Sequence, residues 1–433
     1  MTYEAMLQKL YNLKGAGLDL ERLLRALGDP QKSFRAVRVA GTNGKGSVCA
    51  FLAQILQEAG FRVGLFTSPH LVRPEERIRV NSCEISPKEF HSQFERIWEV
   101  IEGLYGSESE RHARFFEVLT LMAVDYFRAQ HVDWAVIECG VGARTDATRV
   151  IAAPVAVLTN VELDHRESLG ETIAQIASHK AAVVAEGGVL ITAESKPEAL
   201  REIERECRLK DARLIQLDLS GLKVHSHSWE GQRFAWGNWE DLEISLVGSY
   251  QLSNAVLARE AARAVGVSES AIRAGLRKTR WPGRMELLRK SPYVMLDGAK
   301  NPAGVRALRA ALAPLDYERL ILVFGISDRK DAEMMAREIV PVADSVIVTR
   351  AAFRGIDPEF LASLIRPYGV PCVVAPTPDR AMDVAFAQAH TNDLICVTGS
   401  LFLVGEIRAR LRLDCSPCRL RRHDERQAKL GQL

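Results

Sequence analysis

Short apolar runs alternate with amphipathic stretches along the first half of the chain. Residues 62–66, 134–137 and 155–158 are largely apolar, with the length and composition typical of strands buried on both faces of a parallel sheet. Between two of these runs, residues 116–128 repeat apolar positions at helical spacing. This alternation predicts a doubly wound, mainly parallel α/β domain.

The pattern changes twice further along the chain. Residues 222–247 alternate polar and apolar side chains over short segments, which predicts a small antiparallel addition at the edge of the domain. A helix is predicted over residues 253–265 with Gly266 as its C-cap, and Trp281-Pro282-Gly283 then interrupts the pattern. A second strand–helix series follows, with strands predicted at 293–296, 320–324, 346–348, 372–374 and 394–397.

The two series predict two domains. Residues 1–283 are expected to form the first, and residues 284–433 a smaller, Rossmann-like α/β domain with a basic tail from about residue 412. A chain of 433 residues agrees with this division, because a single hydrophobic core rarely serves a protein of that size.

A glycine-rich turn joins the first predicted strand to the next helix. It reads Gly41-Thr42-Asn43-Gly44-Lys45-Gly46-Ser47 and lies between a strand at 37–40 and a helix that ends near Gly60. Glycines let backbone N–H groups wrap around phosphates, a lysine can reach the terminal phosphates, and a serine hydroxyl can bind magnesium. The spacing is shorter than in the common G-x-x-x-x-G-K-[ST] loop. The turn predicts a P-loop for a nucleoside triphosphate, and a glycine turn without a ligand is the less favoured alternative.

Composition narrows the class of protein. The formal net charge of +2 gives no electrostatic preference for nucleic acid or an anionic membrane. Neither a leader pattern nor an apolar run of membrane-spanning length is evident in the sequence. The eight cysteines are scattered, which favours a reducing cytoplasm. Cys415, Cys418 and His423 are too few ligands for structural zinc, so a surface tail is expected there.

Polar side chains follow three predicted strands of the first domain. Ser68 and His70 follow one strand, Glu138 ends another, and Asp164 and His165 follow a third. The carboxyl ends of parallel strands meet at one edge of a sheet, where open α/β sheets bind ligands. Each side chain alone is more often an ordinary loop residue. Together, beside a phosphate loop, they predict a magnesium site with Glu138 in the place where an acid commonly holds the ion.

Lys180 lies in the middle of an apolar helix face. The helix is predicted from about residue 172 to 184, and its apolar face consists of Ile173, Ile176, Ala177, Val183 and Val184. A buried ammonium must be paired, neutralised or chemically altered, since an isolated buried charge is costly. A salt bridge to a buried acid and carbamylation to a magnesium-binding anion are two solutions. Snorkelling to the helix edge is the remaining alternative.

Two charged residues near the predicted domain junction are further candidates. Asp297 ends the strand at 293–296, where an acid can accept hydrogen bonds from a ribose. Arg284 could reach a phosphate from the far side when the domains close. For both residues, an ordinary loop or surface charge is an equal alternative.

Taken together, the motifs match a known family. The matching segments are V-A-G-T-N-G-K-G-S at 39–47, T-S-P-H-L at 67–71, F-F-E-V-L-T at 115–120, L-D-H at 163–165 with L-G at 169–170, Y-Q-L-S-N-A at 250–255, W-P-G-R-M-E at 281–286, D-G-A at 297–299 with N-P at 301–302, and V-T-G-S-L at 397–401. With these segments in the family's order, the chain resembles the folylpolyglutamate synthase/dihydrofolate synthase group of the Mur-type amide ligases over residues 39–401.

The resemblance implies an ATP- and Mg²⁺-dependent ligase that joins L-glutamate to a folate-type carboxylate through an acyl phosphate. The implied nucleotide-binding residues are Gly41, Thr42, Asn43, Gly44, Lys45, Gly46, Ser47, Asn254, Arg284, Asp297 and Lys300. The implied magnesium ligands are Ser47, Ser68, Glu138, His165 and Lys180, the last matching a lysine that is carbamylated in such ligases. The implied substrate contacts are Asp146, Phe115 and Arg144, and the implied catalytic residues are Lys45, Lys180, His165 and Arg284.

Three departures from the family's motifs leave the substrate open. Lys300 stands where a histidine is usual, Ala143 and Thr145 alter a glycine-rich loop, and His179 replaces a usual glutamate. A ligase for a non-folate acid and a catalytically silent ATP-binding paralogue are the alternatives. A muramyl-peptide ligase is less favoured, because the phosphate loop begins at residue 41 and leaves no room for the N-terminal domain of those enzymes. We expect a cytoplasmic monomer that acts on small molecules without a nucleic-acid or membrane partner.

Overall fold

The computed structural model describes residues 1–411. The predicted tail with Cys415, Cys418 and His423 lies outside the described residues. The strands of residues 1–411 are β1 (Arg35–Ala40), β2 (Val63–Phe66), β3 (Ile78–Val80), β4 (Cys83–Glu84), β5 (Trp134–Glu138), β6 (Val155–Leu158), β7 (Val189–Thr192), β8 (Arg213–Gln216), β9 (Lys223–Ser228), β10 (Gly231–Trp236), β11 (Trp239–Ile244), β12 (Glu286–Lys290), β13 (Tyr293–Leu296), β14 (Leu320–Phe324), β15 (Ser345–Val348), β16 (Cys372–Val374) and β17 (Leu394–Thr398).

Helices connect and flank these strands. The α-helices of the same residues are α1 (Tyr3–Asn12), α2 (Leu20–Ala26), α3 (Lys45–Glu58), α4 (Pro87–Tyr105), α5 (Ser109–His112), α6 (Phe115–Ala129), α7 (Arg166–Leu169), α8 (Ile173–Ala181), α9 (Pro197–Leu209), α10 (Tyr250–Ala264), α11 (Glu269–Lys278), α12 (Pro302–Leu312), α13 (Ala332–Ile339), α14 (Pro358–Ile365), α15 (Pro378–Gln388) and α16 (Leu401–Arg410). In this part of the chain, no helix combines the length and apolar character needed to cross a membrane.

The first sheet has eight strands in the order β4-β3-β2-β5-β1-β6-β7-β8. From β2 to β8 in that order the strands run parallel, and the hairpin of β3 and β4 is antiparallel. Alternate residues of β5 face opposite apolar layers: Ala135 and Ile137 join the layer of α4 and α6, whereas Trp134 and Val136 join that of α3 and α10. Helices cover both faces, which confirms the predicted doubly wound, mainly parallel sheet.

Two more sheets follow along the chain. Strands β9 to β11 form a three-stranded antiparallel sheet, which confirms the predicted small addition. The third sheet has six strands in the order β12-β13-β17-β14-β15-β16, all parallel except β12. This confirms the second α/β series. We propose the division into two domains at residues 283 and 284, between α11, which packs on the first sheet's helices, and β12, which opens the third sheet.

Several element boundaries differ from the sequence predictions. Helix α10 begins at Tyr250 rather than at residue 253. Helix α8 ends at Ala181, because the N–H groups of Val183 and Val184 bond to carbonyls three residues back and tighten the chain into a turn. Strands β3, β4, β7, β8 and β12 were not predicted. The strands that place the candidate site were predicted within one or two residues.

Candidate active site

The glycine turn lies at the carboxyl end of β1, in the middle of the first sheet. Gly41 has a φ of +143° and Gly44 a φ of +84°. A β-carbon at Gly41 would lie 1.9 Å from Oγ1 of Thr159, and one at Gly44 would lie 2.4 Å from Oδ1 of Asn254. Both positions therefore require glycine, for conformation and for space. The second approach also places the predicted nucleotide residue Asn254 directly against the loop.

Lys45 opens helix α3 and folds back over the turn. Its Nζ donates to the carbonyl oxygens of Gly41 and Thr42, each at 3.2 Å. Within residues 1–411 it has no carboxylate at ion-pair distance, so its charge is available to an anion. Ser47 lies one turn into the helix and is buried. The unsatisfied N–H groups of a helix N-terminus add to the pull on a phosphate.

Glu138 lies at the end of β5, beside the turn. Its Oε2 accepts a hydrogen bond of 3.0 Å from the backbone N–H of Ser68, so the structure brings these two predicted ligands together. Burial raises the pKa of Glu138, and the charge of Lys45 opposes that rise. A buried carboxylate next to a lysine is suited to a site that binds a metal ion together with phosphate groups.

His165 caps helix α7 with a left-handed backbone, φ +53°. Its Nε2 lies 3.9 Å from Oδ2 of Asp164. Burial lowers the pKa of His165 to about 4, so the imidazole is neutral near pH 7. A neutral imidazole keeps a lone pair for a metal or a proton, in keeping with the predicted role.

Lys180 is only 3% exposed, which excludes snorkelling. Its Nζ donates a 2.7 Å hydrogen bond to the carbonyl of Gly41, the oxygen that Lys45 also contacts. Within residues 1–411 no acid lies at ion-pair distance from it, so the salt-bridge solution does not hold there. Burial, and then the nearby Lys45, lower the pKa of Lys180 to about 7.

The candidate ligands fit a magnesium ion if the amine of Lys180 is carbamylated. The described residues contain no cluster of three or more His, Cys, Asp or Glu side chains that could hold a metal ion. Glu138 supplies one carboxylate, and serine hydroxyls supply neutral oxygens. A second anionic oxygen would come from Lys180 if its amine were converted to a carbamate, and the buried, unpaired state of that amine agrees with such a change.

Asp297 and Arg284 meet at the start of the third sheet. The carboxylate of Asp297 accepts hydrogen bonds from the Tyr250 hydroxyl at 3.1 Å and from the backbone N–H groups of Met285 and Ala299 at 3.0 and 2.9 Å. Burial raises its pKa. The Arg284 guanidinium donates to its neighbour's carbonyl and lies against Gly298. Asp297 thus fixes the junction, and its role toward a ribose stays a prediction.

Two residues that sequence reasoning missed connect the two halves of the site. Asn301 exchanges side-chain hydrogen bonds with Asn43 of the turn, and Lys330 forms a 2.6 Å ion pair with Asp164. Asn301 carried a local signal, since it precedes Pro302 at a helix start, whereas Lys330 stands in a loop without one. The predicted Lys300 is half-buried, and within residues 1–411 its ammonium has no hydrogen-bond partner; burial and Lys45 lower its pKa to about 8.

Comparison with known proteins decides the family. The model of the Mur ligase middle domain matches residues 39–262, and that of the Mur ligase glutamate ligase domain matches residues 283–401. The chain belongs to the Mur ligase family. Within it, the similarities place this Mur ligase in the folylpolyglutamate synthase/dihydrofolate synthase group, as the motifs predicted.

The similarities extend over nearly the whole chain. This Mur ligase is 34% identical to a dihydrofolate synthase/folylpolyglutamate synthase of Bacillus subtilis, over 91% of the chain and 94% of the relative. It superposes on Mycobacterium tuberculosis folylpolyglutamate synthase complexed with ADP with a TM-score of 0.87 and 32% identity, covering 95% and 100% of the two chains. For E. coli FolC in complex with DHPP and ADP the TM-score is 0.83 and the identity 30%, over 95% and 98%.

The predicted substrate contacts of this Mur ligase are engaged in its own structure. Asp146 accepts hydrogen bonds from the N–H groups of Gly140 and Thr148 at 2.9 and 3.0 Å, so it shapes the loop between them. Arg144 donates to Oε2 of Glu206 at 2.8 Å, against helix α9. Asp146 and Arg144 therefore have structural partners already, and their contact with a substrate stays a prediction.

Phe115 differs from Asp146 and Arg144 because its ring belongs to a partly exposed cluster of aromatic side chains. Its ring stacks on that of Tyr11, with centroids 5.5 Å apart, and the Arg77 guanidinium lies 5.1 Å from its centroid. Tyr11 is partly open to solvent. A flat, partly exposed aromatic surface suits a heterocyclic ring, and contact of Phe115 with a substrate stays a prediction.

Proposed function

We propose that this Mur ligase joins L-glutamate to a folate-type carboxylate, of dihydropteroate, tetrahydrofolate polyglutamate or both, with ATP as the energy source. The observation that carries the proposal is the shared carbonyl of Gly41, which gathers Lys45 and Lys180 beside the buried Glu138. Two lysines and an acid around a glycine turn suit the transfer of a phosphoryl group to a carboxylate. The names of the relatives support folate and glutamate as the substrates.

The reaction would have two steps. A carboxylate oxygen of the folate-type acid attacks the γ-phosphorus of ATP, and the bond to the bridging oxygen breaks, which gives an acyl phosphate and ADP. The amine of L-glutamate then attacks the acyl carbon, phosphate leaves, and the nitrogen loses a proton to form the amide. Lys45 and Arg284 would stabilise the charge of the transferred group. The neutral imidazole of His165 is available as a ligand or a proton acceptor.

Magnesium belongs to the proposal as well. Ser47, Ser68, Glu138, His165 and a carbamylated Lys180 would hold it. When bound, the ion would neutralise charge on the phosphates. Carbamylation would form a bond between Nζ of Lys180 and the carbon of CO₂. The ammonium group would lose two protons in all, one to become the attacking amine and one from the nitrogen after the bond forms, so a buried cation would become an anion. The loop amides, Asn254, Arg284, Asp297 and Lys300 would bind the remainder of the nucleotide.

We further propose that the enzyme acts in the cytoplasm as a monomer, on small molecules and without a nucleic-acid or membrane partner. The formal net charge of +2 gives no electrostatic preference for nucleic acid or an anionic membrane, which supports the proposal for those two partners.

The test is phosphate release from ATP in the presence of L-glutamate and either dihydropteroate or tetrahydrofolate. Glutamate-dependent release with a pteroate supports the proposal, and comparison of the two acids shows which activity is present. Release only with another acid would favour the reading that Ala143 and Thr145 have changed the acceptor. Nucleotide binding without turnover on any acid would identify a silent paralogue.

A further inference from the structure

The side chains of Asn43 and Asn301 form a reciprocal pair across the two halves of the protein. Nδ2 of Asn43 donates to Oδ1 of Asn301 at 3.2 Å, and Nδ2 of Asn301 donates to Oδ1 of Asn43 at 3.1 Å. Asn43 belongs to the phosphate turn and Asn301 caps helix α12 of the third sheet's layer. The contact suits two amides, because each side chain offers a donor nitrogen and a separate acceptor oxygen on one planar group.

Asn301 is held rigidly on its own side. It is 2% exposed, and its Oδ1 also accepts from the N–H of Gly304 at 2.8 Å. Its Nδ2 donates a second bond, of 3.1 Å, to Oδ2 of Asp164. Oδ1 of Asp164 accepts from Nζ of Lys330 at 2.6 Å, so the same network crosses between the halves a second time. The Asn301 side chain is therefore fixed relative to the C-terminal half.

Asn43 is anchored on the opposite side through its backbone. Its N–H donates to Oδ1 of Asn160 at 3.0 Å, and its carbonyl accepts from the hydroxyl of Thr159 at 2.6 Å. Its side chain is the group of the turn that reaches α12. The Asn43 side chain thus links the turn directly to the C-terminal half, two residues from Lys45.

We propose that the Asn43–Asn301 pair is a positioning device for the phosphate turn, which holds the turn in its nucleotide-binding shape when the C-terminal half is docked. Its catalytic consequence rests on the proposed ATP-dependent function, whereas its effect on the turn does not. Asn301 and Asn43 act through the loop that binds phosphate and through Lys45, without any role in the chemical steps.

The first experiment measures hydrogen exchange at the amides of Thr42 and Asn43 in the full-length protein without substrates. The Asn301→Ser variant keeps a good helix cap for α12 but cannot form the reciprocal pair. The Asn43→Ala variant removes the pair from the other side. The control is Asn392→Ser, which removes an exposed asparagine whose amide contacts Glu318. Both pair variants should exchange these amides about tenfold faster or more, the control should not, and unchanged exchange in β14 and β17 verifies the fold.

The second experiment is a double-mutant cycle on kcat/KM for ATP. Each single variant should lower it by about tenfold or more, as expected for the loss of roughly two buried hydrogen bonds. The double variant should lose clearly less than the sum of the two single losses and about as much as Asn301→Ser, because both single variants remove the same pair and Asn301→Ser also removes the bond to Asp164. Additive losses, or unchanged exchange at residues 42 and 43 in Asn301→Ser, would overturn the proposal. A wild-type protein without ligase turnover would contradict the proposed function alone, because the exchange experiment uses no substrate.

Discussion

At the scale of the residue, the site contains buried charges that are stabilised in different ways. Glu138 is buried beside Lys45 and its pKa rises, since burial outweighs the attraction. Burial would also raise the pKa of Asp164, but the adjacent Lys330 ammonium outweighs it and holds that pKa well below the usual range. Lys180 has only a carbonyl as partner among residues 1–411. It is the buried charge that a chemical modification would relieve best.

Replacement of Lys180 by alanine should abolish turnover. The variant loses the amine that forms the carbamate, and we expect kcat to fall by about 10³-fold or more, the size of effect seen when a key electrostatic group is removed. Phosphate release measured with and without bicarbonate checks this. The Lys180→Arg variant keeps a buried cation but has no amine to carbamylate, so it should be equally inactive. Near-normal activity of Lys180→Ala would contradict the assigned role.

His70 should make the fold acid-sensitive. Its Nδ1 accepts a 2.9 Å hydrogen bond from Nε of Arg77, and burial, followed by the charge of Arg77, lowers its pKa from 6.5 to about 3. Between pH 6.5 and pH 3, the His70 side chain therefore binds a proton in the unfolded chain but stays neutral in the folded chain. The contribution of neutral His70 to the free energy of unfolding is complete above pH 6.5 and is lost as the pH falls from there toward 3.

The variant His70→Gln tests that expectation, because it keeps an acceptor for Arg77 but does not titrate. Urea unfolding at pH 7 and pH 5 should show a smaller loss of unfolding free energy for the variant than for the wild type. His165 shifts in the same direction and is unchanged in the variant, so the difference between the two proteins isolates His70. An equal loss of unfolding free energy in the two proteins would show that the pKa of His70 does not differ between the folded and unfolded states.

At the scale of the element, helix α3 carries the phosphate turn and depends on close packing against α11. A β-carbon at Gly275 of α11 would lie 2.4 Å from Cα and 2.7 Å from the backbone N of Ile55. The two helices approach so closely that their backbones touch. The position of the turn is therefore set by the absence of one side chain on a neighbouring helix.

Replacement of Gly275 by alanine should separate the two helices. The clash is with backbone atoms and cannot be relieved by a rotamer change, so we expect a loss of about 2 kcal/mol in unfolding free energy. Gly103 in α4 is the matched control, since nothing lies within 4 Å of its added β-carbon. Gly103→Ala should be neutral or gain up to about 1 kcal/mol from helix propensity. Urea denaturation of the two variants decides between these outcomes.

Continuous apolar strands such as β5 and β6 were predicted, whereas the buried strand β7 and strand β12, which depends on a distant partner, were not. The runs that became β5 and β6 are continuous and apolar, so their positions were predicted almost to the residue. Strand β12 is partly exposed and carries Glu286, Arg289 and Lys290, and it becomes a strand because β13 supplies its antiparallel partner. The local pattern of apolar and polar residues does not show whether a segment will have such a partner strand.

The same limit applies to the site. Helical spacing predicted the burial of Lys180, and strand ends predicted Glu138 and Ser68 at one edge. The partner of Lys180 is the backbone carbonyl of Gly41, and a contact with a backbone atom cannot be predicted from the pattern of side chains. The Asn43–Asn301 contact joins loops that follow strands of separate sheets, and the packing of those sheets against each other cannot be predicted from periodicity.

At the scale of the whole molecule, the ion pairs that connect the two halves within residues 1–411 differ in burial. The pair of Lys330 and Asp164 has side chains that are 16% and 6% exposed, whereas the adjacent pair of Arg329 and Glu167 is 69% and 75% exposed. Loss of one partner from a buried pair leaves an uncompensated charge, while exposed pairs contribute little. The buried pair should dominate the stability of the docked arrangement.

The Lys330→Ala variant should favour an open arrangement of the two halves. We expect a cost of about 3 kcal/mol to the docked state and a larger radius of gyration in small-angle X-ray scattering of the nucleotide-free protein. The control is Arg329→Ala, which should cost less than about 1 kcal/mol and leave the scattering unchanged. The same radius of gyration for wild type and Lys330→Ala would show that the halves are held by other contacts.

The carbonyl oxygen of Gly41 receives two ammonium groups, one from Lys45 and one from Lys180. If Lys180 takes up carbon dioxide, its end becomes negative and that oxygen repels it, which leaves Lys45 as the donor on the carbonyl. Thermodynamic linkage is reciprocal, so whatever carbamylation does to nucleotide affinity, a bound nucleotide must do to the affinity for carbon dioxide. Any change that carbamylation makes in the apparent dissociation constant for ATP would therefore appear as a dependence of that constant on dissolved carbon dioxide, and the two lysines would be coupled through one backbone atom.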